Sequence, residues 1–127
     1  MFSTFLRNLS LVFAFTTGSI ATRPTAWYAS IHTADPGLTG ANEMTTGTDA
    51  TYARQAVTLD TPSGGQAPST GDLTWNSTPG WTATHIGIWD APTGGNFLDG
   101  GELAVPEVVA PSGTLVLPAG RLIPSLT

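Results

Sequence analysis

Glycine and proline interrupt most of this sequence at close intervals, which favours turns and strands over helices. The chain of 127 residues contains 15 glycines and 10 prolines. Glycine accepts positive φ angles, and proline fixes φ and lacks the backbone donor that a helix interior needs. The runs between them are rich in the β-branched and aromatic residues of strands. The spacing therefore predicts an all-β fold.

Seven β-prone segments follow Pro24, and the first shows the clearest alternation. Trp27, Ala29 and Ile31 occupy one face of it, and the residues between them occupy the other. The remaining segments are TYARQAVTL, GDLTWNS, WTATHIGIWDA, FLDGGELAVPEVV, GTLVL and GRLIPSL. Short strands at this spacing predict an antiparallel β-sandwich, of jelly-roll or immunoglobulin-like type, over residues 23–127. Pro106 and Pro124 are expected at edges or bulges.

Residues 1–22 differ from the rest and allow three interpretations. An apolar run follows Arg7, and the small residues near position 21 resemble the cleavage site of a secretory signal. The run is too short for a membrane-spanning helix. Apolar residues at three-and-four spacing predict instead an amphipathic helix, ended by Gly18 and followed by a linker. Its apolar face is the candidate interface: Phe2, Phe5, Leu6, Leu9, Val12 and Phe13.

Charge and cysteine content exclude several classes of function. The chain has no lysine, four basic residues and a net charge of -5, so it offers no basic patch for nucleic acid. Without cysteine it can form neither a disulfide nor a thiolate zinc site.

The polar residues form no recognisable reaction centre. His32 and His85, with nearby carboxylates, could in principle hold a metal, but their spacing matches no helical zinc motif. Asp35-Pro36-Gly37 is read as a turn. No serine or cysteine nucleophile motif is present. We predict no catalytic residue, metal or cofactor, and we treat the loop residues His32, Asp35, Asn42 and Glu43 as candidate contacts.

Large aromatic residues are expected to anchor the β core. Among them, Trp81 and Trp89 are candidate aromatic contacts, because a tryptophan exposed on one face would suit a partner or a glycan.

Four stretches resemble, in the same order, a family of small bacteriophage virion proteins identified as tail fibre proteins. They are the apolar N-terminal segment, IHTADPGLTGANE with YARQAVTL, THIGIWDAPTGG, and the closing GTLVLPAGRLIPSLT. The resemblance covers nearly the whole chain. It implies a helix beside the β domain, with no export signal, because phage proteins assemble in the host cytoplasm.

The resemblance implies a non-enzymatic virion protein, and composition adds an expectation of assembly. A small cysteine-free domain gains stability when an apolar helix is buried against a neighbour. We therefore expect a homo-oligomer that contacts other phage structural proteins, in the tail fibre or as capsid decoration, without nucleic acid or membrane as partner. The alternative is a secreted or virion-borne module that binds carbohydrate, such as a host-surface glycan.

Overall fold

The computed structural model describes residues 1–19 and 23–125. One helix and six strands follow in order: α1 (Thr4–Phe15), β1 (Trp27–His32), β2 (Gln55–Val57), β3 (Leu73–Asn76), β4 (Trp81–Trp89), β5 (Phe97–Val109) and β6 (Thr114–Leu117). Four strands form one sheet in the order β2-β1-β4-β5, and β3 pairs with β6 in a second sheet. Every pairing is antiparallel. The predicted mostly-β fold with one short N-terminal helix is confirmed.

The hydrophobic core joins the two sheets. Alternate residues of each strand face it, as the period of two along a strand requires. Its buried members are Ala29, Ile31, Met44, Val57, Leu73, Trp75, Trp81, Ala83, Ile86 and Val109. Two antiparallel sheets around one core make a sandwich-like arrangement, whereas the jelly-roll or immunoglobulin-like topology stays a prediction.

Local capping explains where α1 begins and ends. The Oγ of Ser3 accepts a hydrogen bond from the backbone N–H of Leu6 at 3.1 Å and so caps the first turn. At the other end Thr16 is extended, and its hydroxyl donates to the carbonyl of Val12 at 3.0 Å. The helix therefore ends at Phe15, and the expectation that Gly18 ends it is wrong.

Phe2 lies before α1, so its assignment to the helix is also wrong. It lies opposite Asp99 of β5 in an isolated antiparallel bridge. The backbone N–H of Ser3 donates to the carbonyl of Leu98 at 2.8 Å, which fixes the start of the helix on the edge of the large sheet. The boundary predicted at residue 22 stays untested, because residues 20–22 lie outside the described residues.

One predicted strand is shorter than its sequence pattern, and another is absent from the described residues. Of residues 51–59 only Gln55–Val57 form a strand, because the backbone before Gln55 bonds elsewhere. Tyr52 N–H donates to Asp49, and the carbonyl of Ala53 accepts from the Trp75 indole. The run at 120–125 forms no strand in the described part of the chain, although Ser125 bridges to Gln66. Residue 126 lies outside the described residues.

The prediction for Pro106 is confirmed. It lies on the edge strand β5, where the register with β4 breaks between Glu102 and Glu107.

Candidate functional site

Residues 33–43, here called the signature loop, fold over the face of the large sheet that points away from the core. Backbone bonds tie both ends of the loop to β1, since His32 and Glu43 form a bridge. The predicted turn is present: the carboxylate of Asp35 accepts from the N–H of Gly37 at 2.8 Å, and Gly37 has a φ of 58°. The loop thus closes one face of the fold.

Two glycines allow the loop to approach the sheet. A Cβ on Gly40, whose φ is 80°, would lie 2.5 Å from the Trp89 ring. A Cβ on Gly87 would lie 2.6 Å from both His32 Nε2 and Ser30 Oγ. At both positions any larger residue would force the packed side chains apart.

A directed chain of hydrogen bonds runs beneath the loop. The indole N–H of Trp89 donates to Ser30 Oγ at 3.0 Å, and Ser30 Oγ lies 2.8 Å from His32 Nε2. His32 Nδ1 lies 2.7 Å from the carbonyl of Ala41, which can only accept. Nδ1 therefore carries the proton, and Nε2 accepts from Ser30.

This serine–histidine pair has hydrogen-bonding geometry but no access for a substrate. Ser30 and His32 are both fully buried. Burial lowers the pKa of His32, against the smaller opposing effects of its bond to Ala41 and of Glu43. The neutral imidazole is therefore a structural link, and His32 offers no atom to a partner at the surface.

An ion pair forms the second part of the cluster. Arg54 binds Glu43 through two parallel bonds, Nε to Oε1 at 2.8 Å and Nη2 to Oε2 at 2.7 Å. The hydroxyl of Tyr52 donates to Glu43 at 2.9 Å and accepts from the N–H of Ile31 at 3.2 Å. Burial and the adjacent carboxylate raise the pKa of Tyr52 above its usual value.

Arg54 also reaches the turn after β4. Its Nη1 donates to the carbonyls of Ala91 and Gly94, each at 2.8 Å. Its guanidinium carbon lies 3.8 Å from the centroid of the Trp89 ring, a cation–π contact. One side chain thus connects three segments of the sequence.

We call this set the motif cluster: Ser30, His32, Gly40, Glu43, Tyr52, Arg54, Gly87, Trp89 and Phe97. Among the described residues, no buried side-chain nitrogen or oxygen lacks a hydrogen-bond partner. The same part of the chain holds no group of three or more potential metal ligands. The polar groups of the cluster bond one another, so we expect the cluster to stabilise the fold.

Asp49 organises a separate buried network that the sequence did not indicate. Its carboxylate is 1% exposed and accepts bonds from Thr51, Thr78 and the indole of Trp81. The bonds from Thr78, followed by those from Thr51, hold the pKa of Asp49 far below its usual value, although desolvation opposes them. An acidic residue beside two threonines gives no local signal of this role.

The two candidate tryptophans have different surroundings. Trp81 is buried in the core and donates to Asp49 at 3.0 Å, so its candidacy as a surface contact is wrong. Trp89 is half-buried, with Arg54 over its ring and Phe97 at 5.2 Å between ring centroids. Of the candidate loop contacts, Asp35 and Asn42 are exposed and Glu43 is half-buried in its ion pair.

The helix presents apolar side chains on both of its sides. Of the predicted interface, Phe2, Phe5, Leu6, Leu9 and Val12 are half-buried, and Phe13 is 74% exposed. Leu11 and Phe15 lie on the opposite side and are 55% and 80% exposed. The predicted interface omitted Leu11 and Phe15, although their i, i+4 spacing is visible in the sequence. We call Leu11, Phe13 and Phe15 the exposed helix end.

A groove of about 800 Å³ lies beside the start of α1. Ile86 and Ile88 lie in it, and residues 99–103 of β5 form one wall. Residues 121–125 form the opposite wall.

Comparison with protein families gives one decisive match. The family described as Podophage GP4 fiber I protein gp80 matches residues 1–125. The chain belongs to this gp80 family. The match supports the resemblance to phage fibre proteins, and no curated protein matches the chain.

Membership of the gp80 family supports a virion structural protein that is located in the virion and associates with other virion proteins. A phage fibre family of this kind suggests a structural role and not catalysis. In the described residues, no helix is long and apolar enough to span a membrane.

Proposed function

We propose that this gp80-family protein is a non-enzymatic building block of a phage fibre that self-associates and contacts other virion proteins through the exposed helix end. One observation carries the proposal: Leu11, Phe13 and Phe15 are 55%, 74% and 80% exposed on a helix that has no buried residue. A group of large apolar side chains at one exposed element is a mark of an interaction surface.

The expected contribution of this surface is large. A leucine or phenylalanine that moves fully from water into an interface contributes about 1.5–3 kcal/mol. That free energy corresponds to about a 10- to 100-fold change in Kd for each side chain. Because Leu11 and Phe15 share one side of the helix and Phe13 lies on the other, burial of all three requires an association that surrounds the helix end.

Two alternatives have less support. The description of the gp80 family as a fibre protein favours a fibre over capsid decoration. A glycan site built on tryptophan is disfavoured because Trp81 is buried and Arg54 lies over Trp89.

The test is a triple variant, Leu11→Gln, Phe13→Ser and Phe15→Ser, compared with the unaltered protein by sedimentation velocity over a range of concentrations. We expect the unaltered protein to increase in average mass with concentration and the variant to remain monomeric. In a phage that lacks its own copy of the gene, the variant should also be incorporated into particles less efficiently.

A matched control changes exposed apolar residues elsewhere. Val105 and Val108 of β5 are 66% and 79% exposed, and Val105→Thr with Val108→Thr should leave association unchanged. Equal loss of association in both variants would show that general surface hydrophobicity is responsible. An unaltered protein that is monomeric at all concentrations would refute self-association.

A further inference from the structure

The outer edge of β5 is only partly paired. The carbonyl of Leu98 accepts from Ser3, and both backbone groups of Gly100 bond to Met1. Along an antiparallel edge strand, every second residue directs its backbone N–H and carbonyl away from the sheet. Leu98 and Gly100 do so in β5, and the next such residue is Glu102. Among the described residues, the backbone N–H and carbonyl of Glu102 have no partner outside β4. A short free edge therefore follows the N-terminal residues.

The opposite wall of the groove has the same character. The carbonyls of Leu122 and Pro124 accept from the N–H groups of Ser69 and Ala67, which do not line the groove. Ile123, between them, is 41% exposed and lines the groove. The groove thus lies between β5 and residues 121–125, with Ile86 and Ile88 of β4 also in its lining.

The groove has room for an occupant. Its volume of about 800 Å³ falls within the range of about 300–1,000 Å³ that is usual for ligand pockets. A Cβ on Gly101 would meet no atom within 4 Å, so the wall is open at that residue. Residues 1–3 already pair with β5 in the same way, which shows that this edge accepts an antiparallel strand.

The charges around the groove select the chemistry of the occupant. Arg7 and Arg121 line it, and neither forms an ion pair within the described part of the chain. The amine of Met1 instead pairs with Asp99. Two arginines that have no ion pair among the described residues, on a chain of net charge -5, favour carboxylates on the occupant of this groove. Glu102 also lines the groove and repels a carboxylate, so acidic side chains of the occupant must lie near the arginines and away from Glu102.

We propose that the groove binds an extended acidic segment of a partner polypeptide, which adds a strand beside Glu102 and places carboxylates next to Arg7 and Arg121. Backbone bonds along an exposed strand supply the affinity in this mode of recognition, and side chains supply the specificity. The groove is distinct from the exposed helix end, so this inference does not depend on self-association.

The test uses the full chain and two synthetic heptapeptides with blocked ends, TEVEVET and its lysine counterpart TKVKVKT. We expect the acidic peptide to bind at least tenfold more tightly, with NMR shifts that centre on the backbone amide of Glu102. N-methylation of alternate peptide nitrogens on the bonding side should abolish binding, because a strand needs those donors. Retained binding of the methylated peptide would refute strand addition.

Matched variants test the location. Gly101→Leu fills the groove and should weaken binding of TEVEVET at least tenfold, whereas Gly71→Leu should have no effect. Gly71 is a fair control because its Cβ would also meet no atom within 4 Å, and it does not line the groove. The pair Arg7→Glu with Arg121→Glu should reverse the peptide preference.

Three results would overturn the proposal: equal affinity for both peptides, unchanged affinity in Gly101→Leu, or shifts confined to the exposed helix end. The last would mean that the occupant prefers the surface proposed for self-association. Loss of self-association in the helix variant with retained peptide binding would separate the two proposals.

Discussion

In the motif cluster charged and polar side chains lie inside the protein, whereas at the end of α1 leucine and phenylalanine side chains lie on its surface. His32 is fully buried, and the side chain of Arg54 is only 7% exposed, yet Phe15 is 80% exposed. A buried polar group is tolerated when it is hydrogen-bonded, and the cluster meets that condition. An exposed apolar group gains little from folding, so any free energy that it contributes in our proposal comes from assembly.

The comparison separates two kinds of sequence constraint. The motif cluster consists of groups that satisfy one another, so each depends on its neighbours within the fold. The exposed helix end makes few contacts within the chain, and its apolar character serves assembly in our proposal. Variants in the first region should therefore change stability, and variants in the second should change association.

The largest effect is expected at Arg54. Arg54→Ala removes the cation from Glu43, whose side chain is only 18% exposed. Breaking a buried ion pair by removing one partner typically costs about 3–5 kcal/mol. Arg54→Lys should recover only part of this free energy. Lysine keeps the positive charge, but it cannot form the two parallel bonds that arginine makes. Denaturant unfolding would measure both changes.

The control is Arg23→Ala, at an exposed arginine outside the motif cluster. It should lower the free energy of unfolding by less than about 0.5 kcal/mol. In the double variant Arg54→Ala with Glu43→Gln, the loss should be smaller than the sum of the single losses. If Arg54→Ala were no more destabilising than Arg23→Ala, the motif cluster would not stabilise the fold as we expect.

Sequence periodicity predicted the local elements well. Alternation placed β1 at Trp27–His32, and the run FLDGGELAVPEVV corresponds to β5. The Asp35-Pro36-Gly37 turn was also correct, because its geometry depends on three neighbouring residues. Each of these features is determined by residues that lie close together in the chain.

Features that depend on distant residues were missed. Arg54 contacts Glu43 and the carbonyl of Gly94, which lie 11 and 40 positions away, and no local pattern specifies those partners. The indole N–H of Trp75 donates to the carbonyl of Ala53, so β2 is shorter than its alternating sequence. No local pattern indicated that His32 is buried either. Gly87 on the neighbouring strand leaves room for the buried side chains of His32 and Ser30, since a Cβ at position 87 would collide with both.

A smaller, pH-dependent effect is expected at His32. Its pKa is lowered in the folded protein by burial and lies near 6.5 in the unfolded chain. The unfolded chain therefore binds the proton more readily, and stability falls as pH decreases below about 6.5. One group can contribute at most about 1.4 kcal/mol per pH unit. A proton on Nε2 would also remove the acceptor that the Ser30 hydroxyl uses.

The measurement is the free energy of unfolding between pH 8 and pH 5. His32→Gln should flatten the decrease. Ser69→Ala, at a buried polar residue that does not titrate and lies outside the motif cluster, should leave it in place. Asp49 does not affect this measurement. Its pKa is lowered from an ordinary carboxyl value, so its stabilising contribution is lost only at a pH below the range from 8 to 5. An equal slope in His32→Gln and the unaltered protein would contradict the assignment.

The smallest effect on folding is expected at the exposed helix end, and this prediction tests the comparison most directly. Phe13→Ser with Phe15→Ser should change the free energy of unfolding of the dissociated chain by less than about 0.5 kcal/mol. Serine and phenylalanine have similar helix propensities, so the helix itself should persist. Phe97→Ala, at a phenylalanine that is 4% exposed, should cost about 3–5 kcal/mol.

Protein concentration separates folding from assembly in the same experiment. If the exposed helix end is buried between copies, the apparent stability of the unaltered protein rises with concentration by mass action, and that of the serine variant does not. At high dilution the two proteins should then unfold at the same denaturant concentration. A serine variant that is more than about 1 kcal/mol less stable at high dilution would instead place these phenylalanines among the residues that hold the monomer together.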